Sequence, residues 1–139
     1  MYDVWLVDSG ASRHFSGYEE VLSNLDERET SLKIILGDNS TYIVKGFGYV
    51  KFDLYSGESI LLHDVMYVLK LKNPISISAL EDKGTRVAFI EGKVLKWSRE
   101  SQMRDAFTLG SRVKGIYRVN GIPLLAIVHN TNYQSELWH

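Results

Sequence analysis

From Ser31 to about Trp97 the chain is a succession of short apolar-rich runs broken by turn-forming residues, a spacing that admits few architectures. Leu32 to Leu36 has the length of a strand, Gly37-Asp38-Asn39-Ser40 reads as a turn, and Thr41 to Lys45 returns from it. Gly46-Phe47-Gly48 permits a sharp bend or a bulge before "YVKFDL", whose alternating apolar and polar positions have the two-residue period of a half-buried strand. "YSGE" supplies the next turn and Ser59 to Val68 another strand, while "RVAFIEGKVLKW" reads as two strands around Glu91-Gly92. Such a meander of hairpins predicts a mainly β fold.

One segment departs from the strand pattern. In "KNPISISALEDKG", Asn73 has the chemistry of an N-cap, Pro74 suits the first helical position, and Gly84 is placed to end a helix. The expectation is one short helix over about residues 74–83, with Ile75, Leu80 and either Ile77 or Ala79 facing a core. Glu81, Asp82 and Lys83 then stay in water. Beyond Trp97, "SRESQMRDAFTLGSRVKG" lacks a clean period, and "GIYRVNGIPLLAIVH" reads as a last hairpin turning at Asn120-Gly121.

Composition narrows the chemistry. Of 139 residues 45% are hydrophobic, enough for one compact domain or a small domain with part of another. Sixteen basic against seventeen acidic residues leave a net charge of -1, so nucleic acid is not the expected partner of this domain. Without cysteine there is no thiolate metal site, and His14, His63, His129 and His139 are too scattered for a local zinc motif, so neither a metal nor another cofactor is expected. The longest wholly apolar run, Leu124 to Val128, is far short of the ~20 residues of a membrane helix. With no signal-peptide pattern at the start, the expected location is the cytoplasm.

The candidate chemistry sits at the head of the chain, in "WLVDSGASRHFSG". An apolar run from Trp5 to Val7 delivers Asp8 into the small-residue turn Ser9-Gly10-Ala11-Ser12. Aspartate before Ser-Gly is ordinary turn chemistry when taken alone. Its placement at the edge of a buried strand, beside residues small enough for a second backbone to come close, is what allows more. Two carboxylates meeting there share a proton, because like charges a few ångströms apart resist double ionisation. Such a pair serves as base and acid in turn, activating water against a peptide carbonyl and then protonating the leaving amine.

Here the sequence resembles the aspartic proteases of copia-type retrotransposons, relatives of the retroviral enzymes in the retropepsin group. The resemblance rests on "WLVDSGASRHFSG" followed in order by "LKIILGDNSTYIVKGFGYVKFDL", "ILLHDVMYVLKLKN", "ISISALEDKG" and "RVAFIEGKVL". "GIYRV" and the terminal "SELWH" are similar to the opening of the pre-integrase segment that follows in such Gag-Pol polyproteins. It implies a retropepsin-like closed β-barrel of the acid-protease type over residues 1–97, then a linker hairpin and the start of a GAG-pre-integrase domain over 98–139. Asp8 would be the catalytic aspartate, Ser9 and Gly10 its loop partners, and Ala11 the small residue that completes the motif. The hairpin around Gly37, Asp38, Asn39 and Ser40 would be the flap over a polypeptide substrate, the Gag-Pol polyprotein itself. The helix would pack beneath the active-site loop.

Asp-[Ser/Thr]-Gly occurs once in the chain while the mechanism needs two carboxylates, so the implied active form is a homodimer with one Asp8 from each subunit. In an active element the location would extend to a virus-like particle. A competing expectation is a catalytically inactive, truncated remnant acting at most as a folding or interaction module. It is motivated by the seven residues before Asp8, a family asparagine-leucine step shortened by one residue at Pro74, and a pre-integrase segment ending at His139.

Other constellations carry less. His14, six residues after Asp8, reads as an exposed loop histidine. Ser9 or Ser12 as a nucleophile would need His14 or His63 as a base and lacks the G-x-S-x-G setting. "GFGYVK" is short of glycines for a phosphate loop, and "KVLKWSRE" has too few charges for a nucleic-acid face.

Overall fold

The computed structural model describes residues 4–27, 32–35, 39–69, 71 and 73–126. Among the described residues the fold is mainly β with one short α-helix, as expected, and its sheet curls as a half-barrel. The strands in chain order are β1 (Trp5–Asp8), β2 (Phe15–Ser16), β3 (Ser23–Asp26), β4 (Lys33–Ile35), β5 (Thr41–Ile43), β6 (Gly46–Leu54) and β7 (Ser59–Tyr67). There follow β8 (Asn73–Ser76), the helix α1 (Ile77–Asp82), β9 (Thr85–Ile90), β10 (Lys93–Ser98), β11 (Phe107–Val113), β12 (Ile116–Val119) and β13 (Gly121–Pro123).

One sheet has the order β8-β1-β12-β11-β10-β9 and a second the order β13-β6-β7-β2, with β3 also paired to β6. β4 and β5 form a hairpin sheet of their own. Strands on both sides of residue 97 therefore share one sheet, with β12 placed between β1 and β11. Trp5 and Val7 of β1, Val50, Phe52 and Leu54 of β6, Ile60 and Leu62 of β7, Ile75, Val94, Leu109 and Val119 meet in the main core. Trp5 and Phe52 pack edge to face at 4.9 Å, the geometry that ring quadrupoles favour. None of the helices among the described residues is long and apolar enough to cross a membrane.

The central hairpins lie where the turn chemistry puts them. Glu91 and Gly92 both have positive φ, 50° and 79°, the backbone that a two-residue turn needs to match strand twist. The Gly46-Phe47-Gly48 stretch is a strand rather than a corner, and its irregularity is a register shift against β7 between Gly48 and Val50. The two glycines are there because β3 crosses closely. A Cβ on Gly46 would collide with the Asp26 carbonyl oxygen, and one on Gly48 would lie 2.9 Å from that of Ser23.

Two expectations are corrected. The helix begins at Ile77, not Pro74, and its cap is Ser76, whose side chain accepts from the Ala79 amide, rather than Asn73. A proline lacks the amide that both a first helical turn and a sheet edge can do without, and here the edge position of β8 takes it. Asn73 is fully buried and its Oδ1 accepts from the Gly17 amide at 3.3 Å. The last hairpin also moves: β11 and β12 turn at Lys114-Gly115, with φ of 53° and 82°. Asn120 is instead the crossing between sheets, its amide donating to Leu109 and its carbonyl accepting from Tyr55.

Candidate functional site

Asp8 is the last residue of β1 and is exposed to solvent. The strand reaches it because Trp5 and Val7 point into the core on alternate positions, leaving Leu6 and Asp8 on the other face. Neighbouring strands hold β1 on both sides: β8 runs parallel to it, with Asp8 opposite Ser76, and β12 pairs antiparallel at Leu6 and Arg118.

After Asp8 the chain turns at once. The Gly10 amide donates to Asp8 Oδ1 at 2.7 Å, which fixes the carboxylate and leaves its second oxygen free of that bond. A Cβ on Gly10 would sit 3.3 Å from the same oxygen, tight enough to displace the carboxylate. Ser9, Gly10 and Ala11 follow Asp8 directly in the turn that this bond closes.

The loop is tied to α1 by a residue the sequence reading did not single out. Ser76 Oγ donates to the Ala11 carbonyl at 2.7 Å and accepts from the Ala79 amide at 3.0 Å, while the Ser76 amide donates to His14 Nδ1 at 2.9 Å. Ser76 stood inside the helix expected from Pro74, so its role as cap was hidden. The signal that could have exposed it is a serine immediately before the apolar periodicity of Ile77 and Leu80.

His14 is a further correction. It is 3% exposed rather than an open loop histidine, because its ring fills the space between the Asp8 loop and the start of α1. Burial is the main cause that lowers its pKa to about 4, with Asp64 pulling it up and His63 pushing it further down. Ser12, Arg13, His63, Asp64 and Lys83 border the cleft beside it, about 470 Å³ in volume. Another cleft of about 420 Å³, over Ser23, Tyr49, Lys51 and Leu61, contains none of the motif residues.

Of the expected flap residues, Gly37 and Asp38 lie outside the described residues. Asn39 is exposed with φ of 67° and Ser40 is half-buried. The hairpin of β4 and β5 packs Ile34 and Tyr42 on a smaller core of Val44, Met66 and Val68. Its other face presents Ile35 and Ile43, 69% and 51% exposed. Among the described residues no cluster of His, Cys, Asp or Glu is arranged to hold a metal ion.

A single carboxylate held in this way can accept or deliver a proton, but it cannot hold both roles in one step. Comparison with known proteins adds the family. No curated protein and no solved structure matches the chain. A model of the Pol polyprotein beta-barrel domain matches residues 5–85, from the start of β1 to the first residue of β9. The match takes in the Asp8 loop, the exposed hairpin and α1, and the chain belongs to the Pol polyprotein beta-barrel domain family.

Proposed function

We propose that this chain is an aspartic endopeptidase of a copia-type retrotransposon polyprotein, active as a homodimer. The observation that carries the reading is Asp8 itself: an exposed carboxylate at a strand end, oriented by the Gly10 amide at 2.7 Å. Its loop is braced by Ser76 at the start of the helix, which fits the packing that the resemblance implies. Membership of a Pol polyprotein family supports the retroelement setting.

In the dimer, Asp8 of each subunit meets the other across a two-fold axis and the pair holds one proton between them. The ionised carboxylate takes a proton from water as its oxygen bonds to the scissile carbonyl carbon. The protonated one donates to the carbonyl oxygen. Collapse of the tetrahedral gem-diol breaks the C–N bond: the departing nitrogen takes from the dyad the proton that came from water, and one hydroxyl of the gem-diol returns its proton to the other carboxylate, so the pair again holds one proton. Extended polyprotein segments lie beneath the hairpins of β4 and β5, whose exposed Ile35 and Ile43 offer apolar contact to substrate side chains. The work takes place in the cytoplasm, inside the particle of an active element.

The test is processing of a flanking Gag-Pol junction, fused to this chain, at mildly acidic pH. Asp8→Asn keeps a side-chain oxygen for the Gly10 amide, so the variant is expected to fold with a stability within about 0.5 kcal/mol of the parent and to lose cleavage. Cleavage should rise with the square of chain concentration below the dimerisation constant. Equal processing by the parent and Asp8→Asn would end the catalytic reading, and a strict monomer that cleaves would end the dyad.

A further inference from the structure

The imidazole of His14 is used by nothing in the mechanism above, yet it is almost fully enclosed and makes a bond that depends on its protonation. Nδ1 accepts from the Ser76 amide at 2.9 Å, so in this arrangement Nδ1 carries no hydrogen. Imidazolium has N–H on both nitrogens and can only donate. Protonation at Nδ1 would set two N–H groups against each other and strip the Ser76 amide of its acceptor, at a residue with no exposure to water.

We infer that neutral His14 is a positioning residue, latching the Asp8 loop to the start of α1, and that protonating it releases the loop. The inference rests on the protease reading only for its effect on catalysis. The connection runs through Ser76, whose amide is held by His14 and whose hydroxyl holds the Ala11 carbonyl. Ala11 follows Gly10, the residue that orients the Asp8 carboxylate. The backbone of His14 stays anchored when the ring lets go, because its carbonyl accepts from the Met66 amide at 3.0 Å. Release is therefore a motion of the ring and of the loop ahead of it.

The charged surroundings set the point of release. Around the cleft stand Arg13 of the same loop, His63 and Asp64 of β7, Asp82 of α1 and Lys83, the residue that caps its end. Asp64 favours the imidazolium, but Lys83 faces it at 3.7 Å and takes part of that field. Arg13, His63 and Lys83, each when charged, oppose protonation, whereas Asp82 assists it. The latch consequently stays closed at neutral pH, with His14 held down to about 4 mainly by burial.

Nuclear magnetic resonance of the labelled full chain between pH 7.5 and 3.5 tests this without any substrate. The His14 ring, the Ser76 amide and the Gly10 amide should shift with one shared midpoint, and Ser76 amide exchange should accelerate about tenfold or more beyond its ordinary pH dependence. His14→Asn retains an acceptor near Nδ1 and cannot titrate, so the shared step should vanish. Asp64→Asn should lower the midpoint and Lys83→Gln should raise it; both are exposed positions, so these two variants test the latch even if His14→Asn fails to fold. A Ser76 amide indifferent to the His14 titration would overturn the latch, as would a midpoint unmoved in both exposed-site variants. Neither result touches the dyad, which stands or falls with Asp8→Asn.

Discussion

Replacing Ser76 by alanine isolates the brace between the Asp8 loop and the helix. The side chain is fully buried and Oγ serves two partners, donating to Ala11 at 2.7 Å and accepting from Ala79 at 3.0 Å. Loss of a serine N-cap costs about 1 kcal/mol. The Ala11 carbonyl loses its donor, which costs about 1–3 kcal/mol when water cannot replace it. Ala11 is half-buried, so water recovers part of that, and the lower half of the range applies. The expected destabilisation is about 2–3 kcal/mol. With a urea slope of about 2 kcal/mol per molar, the unfolding midpoint should fall by roughly 1–1.5 M at unchanged slope. Ser78→Ala, at an exposed site in the same helix, is the control and should stay within about 0.5 kcal/mol. A Ser76→Ala midpoint indistinguishable from that control would refute the claim that the loop is held through this hydroxyl.

Acid sensitivity follows from His14, whose pKa of about 4 in the fold lies below its ordinary 6.5. Between those values the unfolded chain binds the proton and the folded one does not, so stability is full above 6.5 and declines as pH falls towards 4. The contribution lost is about 3 kcal/mol, readable as the pH dependence of the urea midpoint and absent in His14→Asn. Gly110→Ala would press a Cβ onto the Arg118 carbonyl, with the carbonyl carbon at 3.0 Å, and wedge β11 away from the strand that flanks β1. Its expected cost of about 1–3 kcal/mol should appear in thermal unfolding, and an unchanged melting temperature would contradict the close approach. Ile35→Ser, on the exposed hairpin face, should leave stability within about 0.5 kcal/mol and raise KM more than it lowers kcat; unaltered KM would separate the hairpin from substrate.

What was legible in the sequence was local. Alternation in "YVKFDL" and the Glu91-Gly92 pair act within a few residues, and the strand and the hairpin stand where those signals put them. Pro74 misled because its missing amide suits two environments, and the choice between helix start and sheet edge was made by β1, whose Leu6 pairs with Pro74 from 68 residues earlier. Asn120-Gly121 misled because asparagine-glycine is strong turn chemistry, while Lys114-Gly115 is an unusual pair that adopts the same left-handed backbone. Around the candidate site, Asp8 and its small residues are contiguous and could be read directly. Ser76 could not be joined to Ala11, nor His14 recognised as buried, because both depend on the parallel pairing of distant strands.

That pairing also explains why the loop falls where it does. Up to Asp8, the backbone of β1 is served by two neighbours, but β12 is in register with it at Leu6, and β8 gives way to α1 just after Ser76. Beyond the ladder, those backbone groups of residues 9–14 that water does not reach need other partners, since a buried amide or carbonyl without one is costly. Asp8 Oδ1 serves Gly10, Ser76 Oγ serves Ala11, and the His14 carbonyl serves Met66. Two of those three bonds are made by side chains, so this loop, unlike the strand before it, takes its shape from residue identity rather than from sheet geometry. Substitutions at Ser76 or His14 should therefore alter the setting of Asp8 while the β1 ladder keeps its hydrogen-exchange protection.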